Sequence, residues 1–137
     1  MRDKAVLDTG IISALFFKEE ISERAEKIVE TYEDLITVDL AIPELTNVAW
    51  KRVQFFKEPE ETIEVNLRKG IEFIVRACDV ISSREIYERA FEIAIRMEIT
   101  VYDALFLAAA EKEGADFITS DSKLVEKLKG LDFVKLV

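Results

Sequence analysis

The chain contains no histidine and only one cysteine among its 137 residues. Without histidine, catalytic triads and dyads that use an imidazole base are excluded, as are zinc motifs of the HExxH type. One cysteine cannot form an internal disulfide, and Cys78 lies in an apolar segment typical of a buried structural thiol. A metal site would therefore use oxygen ligands, which favours Mg²⁺, Mn²⁺ or Ca²⁺ over zinc or copper.

Glycine and proline are also scarce, with four and two residues, while half of the chain is hydrophobic. This composition predicts one well-packed domain over residues 1–137. No apolar run approaches the ~18 residues that span a bilayer, and the N-terminus enters a strand-like segment without the apolar core of a signal peptide. We therefore expect a cytoplasmic protein with no membrane association.

Basic residues are outnumbered, with 19 Lys and Arg against 28 Asp and Glu, and the net charge is -9. This balance counts against a nucleic-acid partner, because binding to the phosphate backbone depends on Lys and Arg. The objection weakens if acidic residues hold metal ions. The chain also has 34% charged residues but one Gln and two Asn, a composition that resembles thermophile proteins.

Short apolar runs alternate with segments of helical periodicity along the whole chain. The runs predict strands at residues 5–7, 35–38, 78–81, 117–119 and 133–137. The periodic segments predict helices at residues 11–16, 19–32, 43–56, 60–75, 83–97, 101–113 and 121–128, with Gly70 leaving the middle of the fourth uncertain. This alternation is typical of an α/β fold, a three-layer α/β/α sandwich around a mostly parallel sheet of four or five strands.

Four acidic residues follow predicted strands or open the next helix: Asp8, Glu44, Asp103 and Asp121. Ligands of open parallel sheets collect beyond the carboxyl ends of the strands, so these positions are candidates for a functional site. Helix capping is the alternative explanation for each acid taken alone. Asp8 and Asp103 lie in apolar surroundings with no cationic partner nearby in sequence, which favours a bound metal.

Four segments that contain these acids resemble the signature blocks of PIN domains, in the order and spacing of that family. They are AVLDTG at residues 5–10, IPELTNV at 42–48, TVYDALFLAAA at 100–110 and ITSDSKL at 118–124. The resemblance covers essentially the whole chain. Within that family, this short single-domain chain most resembles the VapC-like toxin ribonucleases of prokaryotic toxin–antitoxin pairs.

The resemblance implies a Mg²⁺- or Mn²⁺-dependent endoribonuclease in which Asp8, Glu44, Asp103 and Asp121 form the catalytic, metal-binding quartet. Thr9, Thr119 and Ser120 would then orient the carboxylates or water molecules. Family members often have Ser or Asn where this chain has Gly10, so one side-chain contact is lost there. Two divalent ions would neutralise four carboxylates, and hydrolysis would need no protein nucleophile.

The expected partners are an RNA substrate, a second copy of the chain and an antitoxin protein. Lys18, Lys51 and Arg52 are candidates for contacts with RNA phosphates, although an ordinary solvated surface explains them equally well. The predicted helices 43–56 and 60–75 carry more large apolar residues than one side of a small sheet covers, which predicts a homodimer. These residues are Trp50, Phe55, Phe56, Ile71, Phe73 and Ile74.

Three other interpretations stay open from sequence. Asp8-Thr9-Gly10 matches the aspartic-protease signature, but that fold is almost entirely β. A phosphoacceptor receiver domain also collects acids at strand ends, yet Asp8 has no adjacent acid as a receiver requires. The strongest alternative is a PIN fold that binds RNA or a protein without cutting.

Overall fold

The computed structural model describes residues 2–137 and contains a five-stranded sheet. The strands are β1 (Lys4–Leu7), β2 (Asp34–Val38), β3 (Cys78–Ile81), β4 (Asp116–Thr119) and β5 (Val134–Leu136). The helices of the described chain are α1 (Thr9–Phe16), α2 (Ser22–Glu30), α3 (Ala41–Gln54), α4 (Glu60–Ala77), α5 (Ser83–Met97), α6 (Val101–Glu113) and α7 (Ser122–Lys127). All neighbouring strands pair in parallel. The predicted three-layer α/β fold is confirmed.

The central strands are apolar on both faces because helices cover both sides of the sheet. Ala5, Val6 and Leu7 of β1 are fully buried, as are Phe117 and Ile118 of β4. Such continuous apolar runs are typical of buried parallel strands. Right-handed crossovers place α1 to α4 on one face of the sheet and α5 to α7 on the other.

The strand order β3-β2-β1-β4-β5 positions the functional residues. The chain moves from β1 to β2 and β3 on one side, and later returns to β4 and β5 on the other. The boundary between β1 and β4 is therefore a topological switch point, where open parallel sheets bind ligands beyond the strand ends. Receiver domains have the order 2-1-3-4-5 instead, so the topology excludes that alternative. The helices of the described chain likewise exclude the almost entirely β protease fold.

Gly70 lies within an uninterrupted helix α4 and does not break it, as the sequence left open. A Cβ atom at Gly70 would lie 2.7 Å from Cδ2 of Leu45 and 3.6 Å from the ring of Phe16. The missing side chain therefore lets α4 approach α3 and α1 closely. Leu45 is fully buried and directly follows Glu44 on α3. The close approach of Gly70 to Leu45 therefore fixes the turn of α3 that carries Glu44.

Most predicted boundaries agree with the structure, and the exceptions have local causes. The strand at 78–81 and the helix at 101–113 are confirmed to the residue. The helix predicted at 19–32 begins only at Ser22, because the Glu19 N–H donates to the Ser22 hydroxyl at 2.9 Å. The helix predicted at 83–97 is confirmed to the residue, and Ser82 caps it by accepting from the Arg84 N–H.

The apolar residues expected to form a dimer surface divide into two groups. Ile74 is fully buried, Ile71 packs against the core, and the Phe73 ring lies 5.3 Å from that of Phe16. These three residues therefore stabilise the monomer.

The other group remains accessible, with Trp50, Phe55 and Phe56 half exposed or more. A second exposed stripe, missed from the sequence, follows α5 at the four-residue spacing of Tyr87, Phe91 and Ile95. No helix within residues 2–137 is both long and apolar enough to cross a membrane.

Candidate metal and nuclease site

Asp8 joins the end of β1 to the start of α1. Its Oδ1 atom accepts a hydrogen bond of 3.0 Å from the Ile11 N–H, so the side chain caps the helix. Its own N–H donates to the Ile118 carbonyl of the neighbouring strand. The carboxylate is therefore fixed at the switch point between β1 and β4.

The pKa of Asp8 is raised to about 6, chiefly by burial and in smaller part by the charges of Asp103 and Glu44, while hydrogen bonds from Thr119 and Ile11 partly oppose this shift. None of the ion pairs formed within residues 2–137 includes one of the four candidate acids. The negative charge at Asp8 is thus uncompensated by the protein. Such a site stabilises a bound cation.

Glu44 lies in the first turn of α3 and is held by a residue of α1. The Thr9 hydroxyl donates a 2.6 Å hydrogen bond to its Oε1 atom. Thr9 is buried and directly follows Asp8, so the same turn positions both carboxylates. This contact agrees with the orienting role predicted for Thr9.

Asp103 lies in the first turn of α6, where its N–H donates to the hydroxyl of the capping residue Thr100 at 3.2 Å. Burial raises the pKa of the Asp103 carboxyl, and the charge of Asp121 adds to this effect. Because the Thr100 side chain caps α6, the Asp103 carboxylate is not needed as the helix cap.

Asp121 follows β4 and caps α7, with Oδ1 accepting from the N–H groups of Lys123 and Leu124 at 3.1 Å each. Its own N–H donates to the Thr119 hydroxyl at 3.2 Å. Thr119 is fully buried, and its side chain also hydrogen-bonds to Asp8. It therefore links the end of β4 to both Asp8 and Asp121. Ser120 borders Gly10, because a Cβ atom added at Gly10 would lie 3.5 Å from the Ser120 hydroxyl and 3.4 Å from Asp8 Oδ1.

The four acids share one edge of the sheet but do not yet enclose a common point. Asp8, Glu44 and Asp103 line a cavity of about 630 Å³. Asp103 and Asp121 also line an adjoining cavity of about 390 Å³. Over residues 2–137, no three acidic side chains already meet at the spacing of a metal centre. The carboxylates of Asp8, Glu44 and Asp121 each accept a separate hydrogen bond, and mutual repulsion opposes a closer approach of the four acids.

The donor set nevertheless fits a divalent cation that prefers oxygen. Hard ions such as Mg²⁺ take one or two carboxylates and keep several water molecules, so four converged carboxylates are not required. Asp8 is the ligand best prepared for an ion, because its charge is partly buried and lacks a basic partner. The cavity is wide enough to admit water and substrate beside it.

The three basic candidates differ in their surroundings. Lys51 is exposed and lines the cavity that contains Asp8 and Glu44. Arg52 instead pairs with Glu19 at 3.4 Å and Glu58 at 3.1 Å.

The Arg52 guanidinium also lies 5.0 Å from the centre of the Phe17 ring. It therefore ties the loop after α1 to the end of α3 and is not available to RNA in this arrangement. Lys18 is exposed, and only its carbonyl contacts Arg52. Lys18 is absent from the residues that line the two cavities.

Two cavity residues, Asn47 and Tyr102, were missed from the sequence. Asn47 lies one helical turn after Glu44, and that spacing alone would have identified it. Tyr102 precedes Asp103 and keeps 61% of its surface exposed, which no periodicity predicts. The sequence also passed over Asp39, which follows β2 and accepts from the Ser83 N–H at 3.2 Å, so it anchors α5.

Comparison with known proteins identifies the family of the chain. The PIN domain family matches residues 5–130 of the chain. The chain is 38% identical to "Ribonuclease VapC3" of Pyrobaculum aerophilum over 128 residues, which is 93% of this chain and 97% of that protein.

Solved structures share the fold at lower identity. PAE2754 from Pyrobaculum aerophilum is 23% identical with a TM-score of 0.71, over 93% of this chain and 81% of that one. A toxin–antitoxin complex from Klebsiella pneumoniae contains a chain 22% identical with a TM-score of 0.67, over 96% and 95% of the two chains. Given the family match over most of its length, the chain belongs to the PIN domain family.

Proposed function

We propose that this protein is a divalent-metal-dependent endoribonuclease that hydrolyses RNA phosphodiester bonds at the carboxylate edge of its sheet. The observation that carries the proposal is the cavity lined by Asp8, Glu44 and Asp103, in which no basic residue pairs with the acids. The 38% identity to a protein named as a ribonuclease supports the choice of RNA as substrate.

Asp8, Glu44, Asp103 and Asp121 would hold Mg²⁺ or Mn²⁺ in this proposal. Bound ions of this kind lower the pKa of water and stabilise charge on phosphoryl oxygens. Thr9 holds Glu44 through its 2.6 Å hydrogen bond. The Thr119 hydroxyl hydrogen-bonds to the Asp121 N–H and to the Asp8 side chain, and so positions both acids.

The remaining residues position water and substrate. Ser120 borders the Asp8 side of the site and is suited to orient a water molecule. Lys51 lies in the same cavity and would contact an RNA phosphate. Thr9 also lines the main cavity, but its hydroxyl donates to Glu44, so water is the attacking group in this proposal and no covalent intermediate with the protein is formed.

The proposal extends to a toxin–antitoxin pair. One solved structure with this fold is a toxin–antitoxin complex from Klebsiella pneumoniae, at 22% identity. An antitoxin would then be the protein partner, and it would bind and inhibit the toxin in the cytoplasm. Expression of the chain alone should arrest growth of a host cell, and co-expression of a neighbouring short reading frame should restore it.

A homodimer is the proposed assembly. Trp50, Phe55 and Phe56 expose large apolar surface at the end of α3, and Tyr87 and Phe91 do so on α5. Exposed clusters of large apolar side chains often mark protein interfaces, and each of these two groups is a candidate. Light scattering at micromolar concentration should give twice the monomer mass of 15.7 kDa, and a monomer mass would contradict the proposal.

The composition supports one further proposal, a thermophilic source, because charged residues are abundant while Asn and Gln are rare. Thermal unfolding should then occur at high temperature. A melting temperature in the range of ordinary mesophile domains, about 45–65 °C, would contradict it.

The direct test of the proposed activity compares RNA cleavage in Mn²⁺ and in EDTA. Wild-type protein should cut single-stranded RNA only with the ion, and Glu44→Gln should lose cleavage. Glu26→Gln, at an exposed position on α2, is the matched control and should retain it.

Calorimetry with Mn²⁺ separates this function from a PIN fold that binds RNA without cutting. The nuclease should bind the ion, and that binding should weaken in Glu44→Gln. A protein that neither binds Mn²⁺ nor cuts RNA would favour the non-catalytic alternative.

A further inference from the structure

The main cavity has a second wall that the carboxylates do not form. Tyr102 lies next to Asp103 at the start of α6, while Asn47 and Lys51 lie three and seven positions after Glu44 on α3. That spacing places Asn47 and Lys51 on the helix face that carries Glu44. The cavity therefore joins the acids to an aromatic ring, an amide and a cation.

These three groups match the parts of a nucleotide. Tyr102 is 61% exposed, so its ring is accessible to a ligand although it borders the acids. Aromatic rings stack on unpaired bases in single-stranded RNA, and asparagine both donates to and accepts from the base edge. Lysine contacts phosphate as a point charge.

The surroundings favour one nucleotide rather than a duplex. The cavity volume of about 630 Å³ lies within the range of small-molecule sites. A base within a duplex is stacked on its neighbours and cannot present its face to Tyr102. An unpaired base can rotate out of the strand and reach the ring.

We propose that Tyr102, Asn47 and Lys51 bind one unstacked nucleotide of single-stranded RNA, next to the phosphodiester held at the acids. Tyr102 stacks on the base, Asn47 reads the base edge, and Lys51 contacts the adjoining phosphate. Tyr102 and Asn47 thus determine which position of the strand is cut. This inference rests on the proposed ribonuclease function and assigns the residues that bind one nucleotide of its substrate.

The test uses a short fluorescent RNA in which one base at a time is removed to leave an abasic ribose. Affinity is measured by anisotropy in Ca²⁺, which carboxylate sites also accept, and cleavage is measured in Mn²⁺. The proteins are wild type, Tyr102→Ala and Tyr102→Phe. Val75→Ala is the control, because Val75 is 61% exposed on α4 and lies outside the cavity.

Tyr102→Ala should lower RNA affinity and kcat/KM by about 5- to 150-fold, the range expected for one lost base stack. Tyr102→Phe keeps the ring and should lose much less, and Val75→Ala should resemble wild type. One abasic position should weaken wild-type binding to a similar extent but leave Tyr102→Ala unaffected. Asn47→Ala should flatten the preference among the four bases at that position.

Two results would overturn the inference. Tyr102→Ala could bind and cut RNA as well as wild type, which would leave the exposed ring to a protein partner. Alternatively, Tyr102→Ala could lose the same factor at every abasic position, which would show no specific stack. Failure of the proposed activity has a different signature: wild type would cut no RNA, while its affinity in Ca²⁺ would still depend on Tyr102.

Discussion

Replacing Asp8 by asparagine should stabilise the protein in EDTA while abolishing RNA cleavage. Asparagine has almost the same shape and caps helices as well as aspartate does, so the hydrogen bond from Ile11 should persist. What disappears is a partly buried negative charge close to Glu44 and Asp103. The substitution therefore isolates the electrostatic cost of the acidic site from its structural contribution.

The magnitude follows from the pKa of Asp8, which burial raises from an ordinary value of 3.8 to about 6. Each pKa unit corresponds to about 1.4 kcal/mol, so the ionised side chain costs about 2 to 3 kcal/mol in the folded state above pH 6. The folded protein binds this proton more tightly than the unfolded chain does. Its free energy of unfolding should therefore fall as the pH rises from about 4 to 6, and Asp8→Asn should lack this component.

Urea denaturation in EDTA at pH 4 and at pH 7.5 provides the measurement. Wild type and Asp8→Asn should be similarly stable at the lower pH, and the variant should be more stable at the higher pH. Asp34→Asn is the control, because Asp34 is exposed at the first residue of β2, at the end of the strand away from the four acids. A variant that is less stable than wild type at pH 7.5, yet still cuts RNA in Mn²⁺, would refute the assignment of Asp8 as a metal ligand.

Three further substitutions test how the fold supports the site, each measured by urea denaturation. Gly70→Ala should destabilise the protein by about 1 kcal/mol or more, because overpacking against Leu45 exceeds the gain in helix propensity; a more stable variant would contradict the close approach of the helices. Tyr32→Phe should cost about 1 to 3 kcal/mol by removing the 2.7 Å hydrogen bond to buried Asp116, with kcat unchanged; unaltered stability would argue against that bond. Arg52→Ala should cost about 1 kcal/mol and leave RNA affinity unchanged, whereas a large loss of affinity would restore Arg52 as an RNA contact.

The sequence predicted the fold well because its signals were local. Apolar runs bounded by Asp8 and Asp121 marked β1 and β4, and Gly114 ended α6 in the left-handed conformation that favours glycine. The role of Gly70, which left the middle of α4 uncertain from sequence, has a tertiary cause. Its role depends on Leu45, which lies 25 positions earlier in the chain and approaches only after folding.

The candidate site was predictable in position but not in detail. Asp8 and Glu44 were selected because they follow β1 and β2, whose carboxyl ends meet at one edge of the sheet, and Asp103 because it opens an apolar helix; the three line one cavity. The sequence could not separate Lys51 from its neighbour Arg52, since the difference lies in ion pairs to other segments. Side-chain partners formed between distant segments leave no periodic signal.

The chemical ends of the cleaved RNA test the central claim most directly. If the carboxylates hold ions that promote attack by water, each cut should leave one linear phosphate and one hydroxyl. Replacing the ribose 2′-hydroxyl at the cut by hydrogen should not prevent cleavage in Mn²⁺. A 2′,3′-cyclic phosphate product, or cleavage that continues in excess EDTA, would contradict the account.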